Sequence, residues 1–353
     1  MLRMTEMLVA LILSAAIVLL TGPKLIAWLR KLKLGQTIYE LGPESHRKKQ
    51  GTPIMGGLFI ALGCVAAFLA SGVVNVLLPV PAENSALSGF SFAWDHALAL
   101  LFVALGSMAV GFGDDWIKMV KKRHEGLTPW QKIIGQAIVC VGFACYCYFH
   151  PEIGSEVHVP FTDVMWDLDI FYIPLLALTV LFMVNSANLQ DGLDGILSTV
   201  TSVGCVGWAA IAMIAASAGI VSQNMTIAIF AAALCGACIA FLRFNHYPAT
   251  IFMGDTGSMF IGGAVVGMAM ILREPFLLLL IGFTMVMSSV SVILQRYYFK
   301  LTRKLTGTPK RLFKMSPIHH HFEMCGMKEP QIVLMYAIVT AVLSAIAVVS
   351  VIL

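Results

Sequence analysis

Five carboxylates stand out in a chain that is otherwise poor in charge. Asp114 and Asp115 sit in Gly113-Asp114-Asp115-Trp116-Ile117-Lys118, and Asp191 and Asp194 in Asn188-Leu189-Gln190-Asp191-Gly192-Leu193-Asp194-Gly195. Asp255 lies in Phe252-Met253-Gly254-Asp255-Thr256-Gly257-Ser258, where a long apolar run begins. Adjacent carboxylates repel each other unless a proton or cation intervenes. They are hard oxygen ligands, and Mg2+ is commonly held by one or two of them together with substrate phosphates. Lys118, one turn after the Asp pair, supplies a compact positive charge for a phosphate. Asp191 and Asp194 share a face if their stretch is helical; the glycines instead favour a loop whose backbone can approach a ligand. Asp255, with free helix N–H groups behind it, fits a metal and phosphate site.

Basic residues complete the set. His46-Arg47-Lys48-Lys49-Gln50-Gly51-Thr52-Pro53 precedes one apolar run, and Lys121, Lys122, Arg123 and Lys132 follow the Asp pair. Further on come Lys310, Arg311, Lys314 and Pro317-Ile318-His319-His320-His321-Phe322-Glu323. Most of these lysines read as solvated. Three consecutive histidines cannot all point one way, so at most one or two of them would line a site; their spacing matches no common zinc pattern.

The elements that must position these groups are membrane helices. The 353 residues are 59% hydrophobic and 12% charged, with a mean hydropathy of +0.86, against about 25% charge in soluble domains. Spans need roughly 20 apolar residues. Ten are expected, near 7–28, 54–78, 97–113, 133–149, 170–187, 196–216, 225–242, 258–272, 276–299 and 332–353. The expected class is an all-α integral membrane protein, one polytopic domain over 1–353, with connections 29–53, 114–132, 188–195, 243–257 and 300–331 on one side. Of the 23 Lys and Arg, only Arg3 and Arg273 fall on the other side. The positive-inside rule makes those five connections cytoplasmic and puts both termini outside. The net charge of +4 is thus a topology signal; the expected partner is the lipid bilayer, and no nucleic acid. The first apolar run lacks a small-residue cleavage site and reads as a helix rather than a signal peptide. None of the eight cysteines falls in an outer connection, so no disulfide is expected, and Cys235 and Cys238 read as core residues of an apolar span.

Span length draws the acids together. Spans three and eight reach about 20 residues only by including Asp114 and Asp115, and Asp255, while span five must run to about Asn188, just short of Asp191. All three overruns fall at the cytoplasmic end. A carboxylate at a span's centre costs about 2.5–3.5 kcal/mol on insertion scales, less near the interface, so three clusters on one face argue for function. Ser288, Ser289 and Ser291 in span nine suggest a bend, since such hydroxyls bond back to helix carbonyls; a bend there would open a groove for a lipid chain.

Lys48-Lys49-x-Gly51-Thr52-Pro53, the Asp-pair and Asn/Asp segments, the Asp255 segment and the triple-His segment ending in Phe322-Glu323 together resemble the phospho-N-acetylmuramoyl-pentapeptide transferase family. It is the bacterial branch of the polyprenyl-phosphate N-acetylhexosamine-1-phosphate transferases. The resemblance spans essentially the whole chain, and the triple-His segment points to the muramoyl branch. It implies a Mg2+-dependent phosphoglycosyl transferase of the inner membrane acting in peptidoglycan synthesis. Undecaprenyl phosphate attacks UDP-N-acetylmuramoyl-pentapeptide, giving UMP and undecaprenyl-diphospho-muramoyl-pentapeptide; a homodimer is also implied. On that basis Asp255 is expected as the Mg2+ ligand, Asp114 as the group that deprotonates or orients the lipid phosphate, and Asp115 as its helper. Lys48 or Lys49, Lys118 and Lys132 would contact phosphates; Asn188, Asp191 and Asp194 would hold the nucleotide or sugar. His319, His320 and His321 would line the mouth. The rival readings are an N-acetylglucosamine-1-phosphate transferase of the same superfamily and, more remotely, a cation-coupled transporter. Transporter sites lie near the midplane of repeated halves, whereas these acids gather at one face and no internal repeat is visible.

Overall fold

A computed structural model describes residues 2–31, 51–77, 92–121, 125–217 and 225–352. The chain is an all-α membrane protein, with one small hairpin among the described residues. Its helices are α1 Leu2–Lys31, α2 Gly57–Leu77, α3 Trp94–Val120, α4 Pro129–Phe149, α5 Tyr172–Gln190, α6 Ile196–Ser217 and α7 Met225–Asn245. They continue with α8 Gly254–Ile271, the single turn α9 Leu278–Ile281, α10 Phe283–Thr306, α11 Ile318–Met324 and α12 Glu329–Ile352. Among the described residues nine helices are long and apolar enough to cross a membrane, or ten if the bent pair Pro275–Ile281 and Phe283–Thr306 is one span. The ten expected spans correspond to these elements.

The apolar exterior shows what solvent the fold meets. Leu334, Ile338 and Val342 recur every fourth residue along α12 and are exposed, as are Leu8 and Ile12 on α1; such stripes face lipid rather than water. Inside, α7 and α8 are almost wholly enclosed. Helix α8 packs along α3, α5 and α2, while α7 packs against α1, α6 and α2. Lipid offers no hydrophobic drive for helices to associate, so small residues that allow close approach matter most. At Gly111 of α3, an added Cβ would lie 2.2 Å from the Asp255 carbonyl oxygen of α8. That contact holds the Asp114–Asp115 turn of α3 against the first turn of α8.

Two features differ from expectation. Strands β1 Glu156–His158 and β2 Met165–Asp167 pair antiparallel, Val157 opposite Trp166, in the connection between α4 and α5. Three-residue strands carry too little alternation to be read from sequence. The expected bend of span nine exists, but the serines do not make it. The axis turns by 85° between Ile281 and Phe283, ahead of them. Ser288 donates to the Thr284 carbonyl and Ser291 to the Ser288 carbonyl inside a continuous helix. Ser289 instead meets Ser186 of α5, oxygen to oxygen at 2.7 Å, and the Ser291 hydroxyl accepts the Ile318 amide.

Candidate active site

Three helix ends bring the acids and their lysine partners together. Helix α3 runs seven residues past the end of its apolar run at 113, as its length required, and so carries Asp114, Asp115 and Lys118. Helix α4 starts a turn earlier than expected: Thr128 and Gln131 form a reciprocal capping box with Pro129 at the first position, the arrangement favoured at a helix start. That added turn carries Lys132. Helix α8 brings Asp255 in its first turn.

Asp114, Asp115 and Asp255 each offer a carboxylate oxygen, all within 4.8 Å of one another. Their surroundings differ. Asp115 Oδ2 accepts the Thr256 amide at 2.9 Å and the Thr256 hydroxyl at 2.6 Å, and its Oδ1 accepts the Asp255 amide at 3.2 Å. It therefore caps α8 from the neighbouring helix, satisfying N–H groups that a helix start leaves open. Asp114 Oδ1 accepts the Leu127 amide at 2.9 Å, and its Oδ2 pairs with Lys118 at 2.6 Å. Asp255 Oδ2 lies 2.7 Å from Lys132 Nζ and 3.4 Å from Lys118 Nζ, while its Oδ1 accepts from Asn188 Nδ2 at 2.8 Å. The Asn188 amide also reaches Ser258. The side chains of Asp114 and Asp255 are 5% and 17% exposed, those of Lys118 and Lys132 30% and 20%. An anion arriving from water thus meets the ammonium groups first.

The Asn/Asp segment is a loop, as its glycines suggest. Helix α5 ends at Gln190 and Gly195 has a φ of +76°. Asp194 is buried; its Oδ2 accepts the Ala249 amide at 2.9 Å, and its own amide donates to Glu329 Oε2. The Gly195 amide bonds to Asn245 Oδ1, whose amide group donates to the Ile251 carbonyl. Asp194 therefore ties this loop to the connection before α8. Asp191 is partly buried. Burial first, and then the Asp255, Asp115 and Asp194 carboxylates, push its carboxyl up to about 8.

The histidines divide as their adjacency requires. His319 and His320 are buried on α11, ring centroids 4.3 Å apart. His319 Nε2 stands so close to Gly192 that an added Cβ would come within 2.3 Å of it. His320 Nδ1 is 3.1 Å from Glu323 Oε2. His321 turns away, taking the Lys314 amide on Nδ1 and stacking edge-on with Phe313. Lys48 and Lys49 lie outside the described residues. Sequence reasoning missed Thr256, Ser258 and Glu329, which carry no recognisable pattern by themselves; only Thr256 and Ser258 fall inside a segment that was singled out.

A sequence model described as glycosyl transferase family 4 matches residues 97–273, which include Asp114, Asp115, Asn188 and Asp255. The phospho-N-acetylmuramoyl-pentapeptide-transferase of Clostridioides difficile (strain 630) is 39% identical over 351 residues, 99% of both chains. That of Clostridium perfringens (strain 13 / Type A) is 40% identical over 345 residues, 97% of this chain and 98% of the relative. That of Heliobacterium modesticaldum (strain ATCC 51547 / Ice1) is 43% identical over 331 residues, 94% and 93%. The chain belongs to the phospho-N-acetylmuramoyl-pentapeptide-transferase family. Within this transferase family, the acid and lysine cluster is the candidate for the chemistry. Its donors fit a divalent cation: all are hard carboxylate oxygens, and those of Asp114 and Asp255 are paired with the partly exposed Lys118 and Lys132 ammonium groups.

Proposed function

We propose that the chain transfers phospho-N-acetylmuramoyl-pentapeptide from its UDP-linked donor to undecaprenyl phosphate, releasing UMP. The supporting observation is the convergence of Asp114, Asp255, Lys118 and Lys132 at helix ends on one face of a multi-span bundle. A phosphate oxygen of the lipid forms a bond to the sugar-linked phosphorus, and the bond from that phosphorus to UMP breaks. One diphosphate replaces another, so no external energy source is needed. Such transfers rest mostly on positioning and on neutralising charge.

Asp255, with Asp114 next to it, is the proposed ligand for Mg2+, which neutralises diphosphate charge when bound. Lys118 and Lys132 leave the carboxylates for phosphate oxygens; Lys48 or Lys49 is assigned the same role. Asp114 orients the lipid phosphate or takes its proton. Asp115 acts by holding the first turn of α8, which places Asp255. Asn188 sets the Asp255 carboxylate and faces the nucleotide side; Asp191 lines that side, and Asp194 keeps the loop in shape. His319 and His320 line the mouth near Gly192, with His321 at its rim. The prenyl chain is assigned to an apolar cavity of about 380 Å3 beside the 85° break, lined by Leu178, Phe182, Phe276 and Leu279 among others.

The excess of Lys and Arg around the acid cluster supports a cytoplasmic active site in the bacterial inner membrane, with both termini outside. A homodimer is also proposed, and the mass of the protein in detergent tests it. The test of function is UMP release by purified protein given undecaprenyl phosphate, Mg2+ and UDP-N-acetylmuramoyl-pentapeptide. Release requiring all three, and none with UDP-N-acetylglucosamine, is expected. Release only with the simpler sugar would move the chain to that branch of the superfamily.

A further inference from the structure

At the opposite end of α3 from Asp114 lies a second cluster of ligating side chains. Asp95 and His96 occupy the first turn of α3, and His150 and Glu152 follow the last turn of α4, which packs beside it. One ligand atom each from Asp95, His96 and His150 falls within 4.8 Å of the others. His150 Nε2 is 3.1 Å from Asp95 Oδ2, and the imidazole centroids of His96 and His150 are 4.8 Å apart. Glu152 Oε2 stands 3.9 Å from His96 Nε2, too far for a hydrogen bond.

A hydrogen bond between the His150 ring and the Asp95 carboxylate accounts for those two. It does not account for His96. That ring is 0% exposed, and neither of its nitrogens has a hydrogen-bond partner. Leaving a buried polar group unpaired costs about 1–3 kcal/mol. The buried hydroxyl of Tyr146, whose ring lies 5.2 Å from that of His150, is also unpartnered. Unpaired imidazole nitrogen beside carboxylates and a second imidazole is a donor set that can ligate a metal ion.

We propose that Asp95, His96 and His150, with Glu152 within reach as a fourth ligand, form a site for a transition-metal dication of the zinc type. Mixed imidazole and carboxylate donors suit zinc, copper, nickel or iron, while Mg2+ prefers oxygen alone. A tetrahedral ion with ligands at about 2.0–2.1 Å spaces them about 3.4 Å apart, between the 3.1 Å that separates His150 Nε2 from Asp95 Oδ2 and the 3.9 Å that separates His96 Nε2 from Glu152 Oε2. Binding through His150 Nε2 moves that ring's proton to Nδ1 and gives up the long 3.3 Å bond from the Glu152 amide. This site is independent of the transfer chemistry: it faces the side assigned to the exterior and clamps the far ends of α3 and α4, whose near ends carry Asp114 and Lys132.

The test is Co2+ titration of the purified full-length chain in detergent, with excess Mg2+ present to occupy the acid and lysine cluster. One equivalent of Co2+ with the strong visible absorption of a tetrahedral nitrogen-ligated ion, displaced by Zn2+, is expected. His96→Ala and His150→Gln should each abolish the absorption and weaken Zn2+ at least about tenfold. His150→Gln sits at a helix end and is expected to stay monodisperse and to keep Mg2+-dependent UMP release, so loss of the signal there is not loss of folding. No absorption in the parent chain, or the same absorption in both variants, would overturn the proposal.

Discussion

Asp115 on α3 accepts both the amide and the hydroxyl of Thr256 on α8, at 2.9 and 2.6 Å. One carboxylate thereby fixes how the turn bearing Asp114 faces the turn bearing Asp255. Removing it with Asp115→Ala leaves buried helix N–H groups without an acceptor and should cost about 2–3 kcal/mol, read as a lower unfolding temperature. Asp115→Asn keeps one acceptor oxygen and should lose less stability. Both variants should lose kcat more than KM; an Asp115→Ala protein with unchanged melting would show that the cap is not structural.

Asp255→Asn is expected to separate chemistry from folding. Asparagine retains the contact with Asn188 on one side but surrenders the charge that pairs with Lys118 and Lys132. UMP release should fall by roughly 100–1,000-fold or more, with melting within a few degrees of the parent. Near-normal turnover would remove Asp255 from the metal site.

Gly111→Ala tests the close approach of α3 and α8. The new methyl would collide with the Asp255 carbonyl at 2.2 Å, and backbone cannot swing aside as a side chain can. Overpacking of this kind costs about 1–3 kcal/mol, and a shift of about 1 Å between reacting groups can cost a hundredfold in rate. A fully active, fully stable Gly111→Ala protein would contradict the packing described.

Asp191 gives the fold a pH dependence of defined sign. Its carboxyl keeps a proton up to about 8 in the fold but only to about 4 in an unfolded chain. Between those values the folded state binds more protons, so stability falls as pH rises and levels off above about 8. Metal-free protein should melt progressively lower across that window, and Asp191→Asn should flatten the curve. An unaltered slope in the variant would assign the dependence elsewhere.

Much of this was legible because span length is a hard constraint. An apolar run ending at Gly113 is too short to cross, so Asp114 and Asp115 had to belong to the helix, and the same reasoning placed Asp255 in α8. Other features escaped for equally physical reasons. The partners of Asp194, the Ala249 amide and Glu329, are remote in sequence and left no local signal. The Asp95, His96 and His150 cluster joins residues 54 and 55 apart at the ends of two helices, and periodicity records no contact between different helices. The break at Gly282 was expected farther along, at the serines, because hydroxyls that bond along their own helix look the same in sequence whether or not the axis bends.

The 85° turn between α9 and α10 bears on how a lipid acceptor seated beside it, as proposed, must be counted. A groove reached sideways from the bilayer samples its lipid by diffusion within a sheet, so the relevant quantity is molecules per unit of membrane area. Adding inert detergent or phospholipid at constant total acceptor should then slow the reaction, and raising the bulk volume alone should not. For the nucleotide sugar the dependence inverts, since that partner crosses open water to reach the lysines. One enzyme would therefore obey two kinetic geometries, planar for one substrate and volumetric for the other.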